Sequence, residues 1–323
     1  MGIKHDNICD LEIGKKYSGI YICKSHNVLK TKDGKDMVSF VFEDKTGTIE
    51  GVWFEPTPEF LNTEKTTNID ADFIGIKFEV SKYKDKPQAK LSNWMVITPD
   101  IIFDKADIVP AASNIEEMFD ELYNTANNFV NEDLRKLTTT ILIERKQEFL
   151  VTPGAKSVHH AVVGGLLLHE TGMLHLAKAI APLYPNINAE LLYAGVILHD
   201  VCKIDEFDVT NLGLVSDYTI EGNLLGHITM GVEYIGKMCD KLNIKKETAT
   251  VIKHMIESHH GIPEHGSAIP PMFFEAVLLH EIDYIDSRNY IMSEAIKDVA
   301  DHELSQRIFA LDNIRVYKHN LDS

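Results

Sequence analysis

The chain is short of cysteine, of positive charge and of long apolar runs, and each shortage excludes something. Four cysteines, Cys9, Cys23, Cys202 and Cys239, are scattered through 323 residues without paired metal-type spacing. Neither a disulfide framework nor a multi-cysteine structural zinc site is expected, and free thiols in a reducing cytoplasm are. No stretch approaches the roughly 18 apolar residues of a membrane span. The first residues, Met1-Gly2-Ile3-Lys4-His5-Asp6, lack an apolar signal core. Basic residues number 32 against 49 acidic ones, a net charge of −17, which argues against a passive, high-affinity nucleic-acid coat. The deficit is uneven. Residues 1–100 carry 14 lysines and 16 acidic residues, whereas the remainder carries 18 basic and 33 acidic ones.

What is present divides the chain. Its length suits two domains or three, and 44% apolar with 25% charged content is that of an ordinary soluble protein. Residues 14–97 read as strands at 17–24, 37–43, 48–54, 73–83 and 89–97, separated by Gly and Asp turns. Five short strands with such turns predict a small closed barrel. The stretch from Val38 to Trp53 resembles the strand 2–3 hairpin of OB-folds that bind nucleic acid. Phe40, Phe42, Trp53, Tyr83 and Trp94 alternate with Lys32, Lys35, Lys82, Lys84 and Lys86. Aromatic platforms beside a cationic track suit a single strand. For each aromatic the competing reading is a place in the barrel interior.

Residues 1–98 are thus expected to be the barrel domain and 99–112, with Pro99 and Pro110, a linker. Residues 113–323 have helical periodicity nearly throughout. Candidate helices span 116–131, 132–150, 160–181, 189–198, 224–242, 246–258, 271–286 and 290–310. The expected architecture is an all-β OB-fold barrel followed by an all-α bundle.

In that helical part an apolar run, Ala194-Gly195-Val196-Ile197-Leu198, ends abruptly in His199-Asp200. Burying an imidazole and a carboxylate together is unfavourable unless each has a partner, and a divalent cation supplies the missing charge. For one such dipeptide alone, a helix end whose His and Asp reach solvent or cap a neighbour is the better explanation. The wider inventory tips the balance. Eleven of the 15 histidines, from His159 to His280, fall within about 120 residues. Several lie beside glycine (Gly164-Gly165 before His169, Gly226 before His227, Gly261 after His260), which lets helices approach closely. Imidazole and carboxylate ligands suit Mn²⁺, Fe²⁺, Co²⁺, Ni²⁺ or Zn²⁺.

The order His169, His199-Asp200, Asp283 resembles the HD superfamily of metal-dependent phosphohydrolases, and His227 with His259-His260 resembles its two-metal branch. The stretches Ser157-Val158-His159-His160-Ala161, Gly164 to His169, Leu225-Gly226-His227-Ile228 and Ser258-His259-His260-Gly261 look like those of the YhaM-type 3′–5′ exoribonucleases. Members of that family join an N-terminal OB-fold to a C-terminal HD domain. Two positions depart from the pattern. Leu168 replaces an acidic residue and Cys202 a glycine, and neither change removes a ligand.

The resemblance implies two divalent cations, from among Mn, Fe, Co and Ni rather than structural Zn. His169, His199, Asp200 and Asp283 would hold the first. Asp200 would bridge to a second held by His227 and by His259 or His260, with His259 favoured. Lys203 would neutralise charge on the phosphate, and His160 would meet a substrate phosphate or the leaving oxygen. Asp286 is read as supporting the ligands rather than joining them, His280 as either support or core, and His175 and His254 as surface or packing residues. The implied activity is 3′–5′ exonucleolytic hydrolysis of single-stranded RNA, with single-stranded DNA a second substrate class, in the cytoplasm and without a membrane. Association with a second copy stays open. A small-nucleotide or cyclic-dinucleotide phosphohydrolase and a non-catalytic nucleic-acid-binding regulator are the alternatives.

Overall fold

The computed structural model describes residues 5–64, 69–70, 72–84, 86–97, 101, 103, 107–156, 160–210, 213–297 and 299–321. Ser157, Val158 and His159, and part of the expected linker, lie outside them. The chain divides into two compact units, Met1–Ala111 with Val209–Ser216, and Ala112–Asp208 with Asp217–Ser323. No described helix is long and apolar enough to cross a membrane.

In the first unit β1 (Lys16–Lys30), β2 (Asp36–Asp44), β3 (Gly47–Phe54), β4 (Asp72–Tyr83) and β5 (Lys86–Val96) close into a barrel in the order β1-β2-β3-β5-β4. Neighbours pair antiparallel except β3 and β5, which pair in parallel at Glu50↔Gln88 to Val52↔Lys90. This is the five-stranded OB arrangement. Alternation along β2 sends Val38, Phe40 and Phe42 inward. Between β3 and β4 a short helix, α1 (Pro58–Glu64), escaped the sequence reading. Its Phe60 is fully buried and packs edge-on against Trp94 at 4.6 Å, Trp53 at 5.3 Å and Phe40 at 5.8 Å. Phe40, Phe42 and Trp53 are 3%, 0% and 4% exposed, so the expectation that they present faces to a nucleic acid is corrected: they fill the barrel. Trp94 is half-buried against the same cluster.

The second unit is helical: α2 (Ile115–Asn127), α3 (Glu132–Glu144), α4 (Lys146–Phe149), α5 (Gly165–Ile180), α6 (Ala189–Leu198), α7 (Lys203–Glu206), α8 (Ile220–Leu242), α9 (Lys246–Ser258) and α10 (Phe274–Ile296). Leu166 and Met173 of α5, Val196 and Ile197 of α6, Met255 of α9 and Leu279 of α10 are fully buried in one core. A two-stranded hairpin, β6 (Phe207–Val209) and β7 (Val215–Tyr218), was not expected, nor was the unbroken run of α10. The helix expected over 290–310 does not form as such. After Ile296 the chain makes isolated antiparallel bridges, Leu304↔Tyr317 and Ile308↔Ile314. His302, Asp312 and Asn313 there adopt positive φ, which a right-handed helix forbids.

Candidate metal centre

The centre begins with α6. Its N-cap, Asn188, accepts a hydrogen bond from the Leu191 N–H at 3.1 Å, and Ala194, Val196, Ile197 and Leu198 are fully buried. A helix apolar on every face runs through the core, so its end delivers His199 and Asp200, each 1% exposed, into the interior. Four other segments bring partners. His169 comes from α5, His259 and His260 from the end of α9, and Asp283 and Asp286 from α10. His227 follows a break in α8 at Gly226, whose φ of 71° and ψ of 158° are open essentially to glycine alone.

The two oxygens of Asp200 face different imidazoles. Oδ2 lies 3.2 Å from His199 Nε2 and 3.8 Å from His169 Nε2. Oδ1 lies 3.4 Å from His227 Nε2 and 3.7 Å from His259 Nε2. Asp283 Oδ1 is 3.3 Å from His169 Nε2. Each of these four rings donates its Nδ1–H elsewhere. His169 donates to Asp286 Oδ2 at 2.8 Å and His199 to the Val196 carbonyl at 2.8 Å. His227 donates to Glu206 at 3.0 Å and His259 to the Ile256 carbonyl at 2.7 Å. Nδ1 is thereby the donor in each ring, and every Nε2 turns toward Asp200. Metal-bound histidines are oriented in this way.

Nε2 of His199, His227 and His259 and Oδ1 of Asp200 are buried without a hydrogen-bond partner. Buried acceptors left in that state are costly, and the donor set, imidazole nitrogen and carboxylate oxygen, suits a divalent transition metal. The residues therefore fit a cation. Donor atoms of His169, His199 and Asp200 lie within 4.8 Å of one another, as do those of His227, His259 and His260. The structure brings both His259 and His260 to His227. His259 is fully buried, whereas His260 also lines a cavity.

Electrostatics follow from burial and neighbours. Burial pulls His259 well below the usual histidine range, with His260 and His199 adding to the effect, so its ring is neutral. Burial also lowers His260. Burial opposes charge on His169, but hydrogen bonds to Asp283 and Asp286 raise it to about 10 without a cation. Burial likewise disfavours charge on Asp200 and Asp283. The histidines around both, and Lys203 beside Asp200, nonetheless hold them well below the usual carboxylate range. Lys203, 7% exposed, donates to Asp200 Oδ2 at 2.6 Å and to the Gly154 carbonyl at 2.9 Å. A cavity of about 410 Å³ opens on the centre, lined by Lys203, His227, His260 and Asp283, with Lys156, Tyr218 and Tyr284 around it.

His160 needs correction. It is 4% exposed and absent from the cavity lining, its Nε2–H donates to Asp286 Oδ2 at 2.9 Å, and its ring lies 4.0 Å from that of Tyr290. It braces the carboxylate that orients His169 and lies outside the described lining of the cavity. Sequence reasoning missed Glu206, which accepts from both the backbone N–H and the Nδ1–H of His227. Its signal was spacing, since Lys203 and Glu206 continue the i, i+3 series from Asp200. His280 donates to the His259 carbonyl at 2.8 Å, and its ring occupies the space a side chain at Gly261 would need.

On the barrel, Lys32, Lys35, Lys82, Tyr83 and Lys84 are exposed. Lys84 Nζ lies 5.3 Å from the Tyr83 ring centroid. Phe54, 49% exposed with Lys90 Nζ 6.0 Å from its centroid, is an outward aromatic that the sequence reading passed over.

Residues 166–288 match the HD domain family. The chain is 34% identical over 312 residues to the 3′–5′ exoribonuclease YhaM of Oceanobacillus iheyensis, covering 96% of each. It is 35% identical over 313 residues to the protein of that name from Listeria welshimeri, covering 96% of this chain and 97% of that one. Among solved structures, the second OB-fold domain of replication protein A from Methanococcus maripaludis matches 30% of this chain and 98% of its own length. That match has 16% identity and a TM-score of 0.24.

Proposed function

Since the chain belongs to the 3′–5′ exoribonuclease YhaM family, we propose that this metal-dependent 3′–5′ exonuclease removes nucleoside monophosphates from single-stranded RNA at a centre of two divalent cations. One observation carries the reading: the two oxygens of Asp200 face separate imidazole pairs, His169 with His199 and His227 with His259. A carboxylate so placed can serve two cations at once. With Asp283 added to the first pair and His260 to the second, each half has donors enough for one ion.

Bound there, divalent cations supply Lewis acidity toward the scissile phosphate and lower the pKa of the attacking water. The chain's own residues do the rest. Lys203, fixed by Asp200 and the Gly154 carbonyl and lining the cavity, offsets the charge that builds on the phosphate oxygens. Asp286 and Glu206 hold His169 and His227 in the tautomer that points Nε2 at the centre. The barrel binds the strand through Tyr83 and Phe54 with Lys32, Lys35, Lys82, Lys84 and Lys90 nearby, since stacking and phosphate contacts are what a sequence-tolerant single-strand binder needs. Single-stranded DNA is a second substrate class on this reading.

The test compares a labelled RNA with a 3′ overhang, the same sequence as DNA, a dinucleotide and a mononucleotide, together with cation content per chain. Wild type is expected to give a 3′-end ladder and to hold two ions more per chain than Asp200→Ala. Asp200→Ala should lose both ions and all activity, and His227→Ala should keep one ion. Near wild-type hydrolysis by Asp200→Ala, or a difference of only one ion between wild type and Asp200→Ala, would overturn the two-cation centre. Preference for the mononucleotide would move the protein to the small-nucleotide phosphohydrolases.

A further inference from the structure

The barrel carries a second concentration of ligand-type side chains, made from none of the residues of the helical centre. Strand β1 pairs with β2 in regular register up to Cys23↔Phe42 and resumes at Ser25↔Val41, so Lys24 is an extra residue in a bulge. In a regular strand, positions three apart point to opposite faces. The bulge cancels that reversal. Cys23 is fully buried, and the His26 side chain, 11% exposed, lies 6.3 Å from the core ring of Phe40 at an interplanar angle of 25°. Both therefore turn to the same side of β1. Asp70, in the connection from α1 to β4, meets them there. Its Oδ1 lies 2.7 Å from His26 Nδ1 and 3.8 Å from Cys23 Sγ. One sulfur, one nitrogen and one oxygen come within 4.8 Å of one another. The far side of the imidazole is held as well, with Nε2 3.5 Å from Glu64 Oε1 at the end of α1.

We propose that Cys23 Sγ, His26 Nδ1 and Asp70 Oδ1 form a zinc-type cation site on the barrel, with Glu64 orienting His26 from behind. Three protein donors with a fourth position for water is a known zinc arrangement. The thiolate selects borderline and soft cations, unlike the all-nitrogen-and-oxygen helical centre. A carboxylate on the opposite ring nitrogen is the partner that metal-bound histidines have. Charge also balances, since a thiolate and a carboxylate neutralise a dication in a largely buried place. Without a cation, burial and the Asp70 charge push the Cys23 thiol up, so binding would release its proton. The multi-cysteine spacing rule misses such a site because a bulge and a distant connection assemble it around a single thiol. Filled, it would fasten the α1–β4 connection to the bulge of β1.

The full-length chain, stripped with chelator and titrated with Co²⁺ or Cd²⁺, tests this by thiolate-to-metal charge-transfer absorption. Neither ligand group of the helical centre contains a thiol, so the band reports the barrel site alone. It should saturate at one ion per chain in wild type and persist in Asp200→Ala, Cys202→Ser and Cys9→Ser. Cys23→Ser should abolish it. Because that residue is buried, two further variants keep the thiol and the core intact. Asp70→Asn should weaken the titration at least tenfold, and Glu64→Gln by about 10–100-fold. No band in wild type, a band that survives Cys23→Ser, loss of the band in Cys9→Ser, or wild-type affinity in both Asp70→Asn and Glu64→Gln would each overturn the site.

Discussion

The barrel and the helical unit have cores of similar apolar lining but bury different things at the middle. Phe40, Phe42, Trp53 and Phe60 in the barrel meet ring to ring at 5.0–5.8 Å, and Asp44 is the one carboxylate among its described residues in the buried class. The helical unit surrounds His169, His199, Asp200, Lys203, Glu206 and His259, all at most 7% exposed, with leucine, isoleucine and methionine. Aromatic packing completes the first core by itself, each ring pair adding roughly 0.5–1.5 kcal/mol beyond burial. The second core contains buried acceptors that a cation would satisfy, and on that reading its stability and its chemistry would be linked to the same ions. Damage in the barrel should thus appear as lost folding or lost grip on the strand, and damage in the helical unit as lost turnover or lost metal.

On the helical side the test is a single buried side-chain cation. Lys203→Ala should lower kcat by about 10²–10³-fold, the scale of one oxyanion-type donor, with little change in KM. Steady-state kinetics on a short oligonucleotide would show it, and a rise in KM at constant kcat would assign Lys203 to binding. On the barrel side, Phe40→Ala should cost about 3–5 kcal/mol of barrel stability, as for other large aromatic truncations, with the helical ion content unchanged. Tyr83→Ala should leave the denaturation midpoint in place yet weaken binding of a long strand by about 1–3 kcal/mol. A destabilised Tyr83→Ala would break the assignment of inner and outer aromatics. Glu206→Gln, smaller in effect, should weaken metal binding by about 10–100-fold while the chain stays folded. Equilibrium dialysis measures it, and unchanged affinity would remove Glu206 from the centre.

The subtlest expectation concerns pH. In the metal-free state His169 is raised to about 10, above an unfolded value near 6.5. Its contribution to stability is then complete below about 6.5 and is lost as pH rises toward 10. Cation binding needs the neutral ring, so uptake below about 10 displaces a proton and apparent affinity should fall by up to about tenfold per unit of acidification. Melting curves taken with chelator should fall as pH rises across this range, whereas those taken at excess cation should stay level. Parallel trends would mean that His169 is not a ligand.

Much of this was legible in the sequence because ligand positions are strict. His169, His199, Asp200, His227, His259 and Asp283 converge as their motifs imply. The five strands were legible too, since alternation has period two. Which aromatics face outward was misread, although the clue was present. Phe40 and Phe42 share parity with Val38, whereas Ser39, Val41 and Glu43 occupy the other face. Phe54 stands out of that inward set and is exposed, as Tyr83 is. Glu206 was missed because its contact with His227 depends on the break at Gly226, a backbone event that side-chain periodicity does not record. The end of α10 was misplaced because no proline or glycine follows Ile296 to mark it, and the positive φ of His302 that excludes a helix over 290–310 leaves no trace in the side-chain pattern.

The anchoring of the four imidazoles has a consequence for how such a centre can be altered. His199 and His259 are each held by a carbonyl three residues back on their own segment, a contact that no single substitution removes. His169 and His227 are held by replaceable carboxylates, Asp286 and Glu206. The side of Asp200 that faces His169 and His199 and the side that faces His227 and His259 therefore each combine one immovable ring with one adjustable ring. A carboxylate makes the imidazole it holds a stronger electron donor, so residues 286 and 206 are two separate dials. Changing Asp286 retunes one side and changing Glu206 the other, and a designer seeking a different metal preference could turn either without disturbing the coordinating atoms.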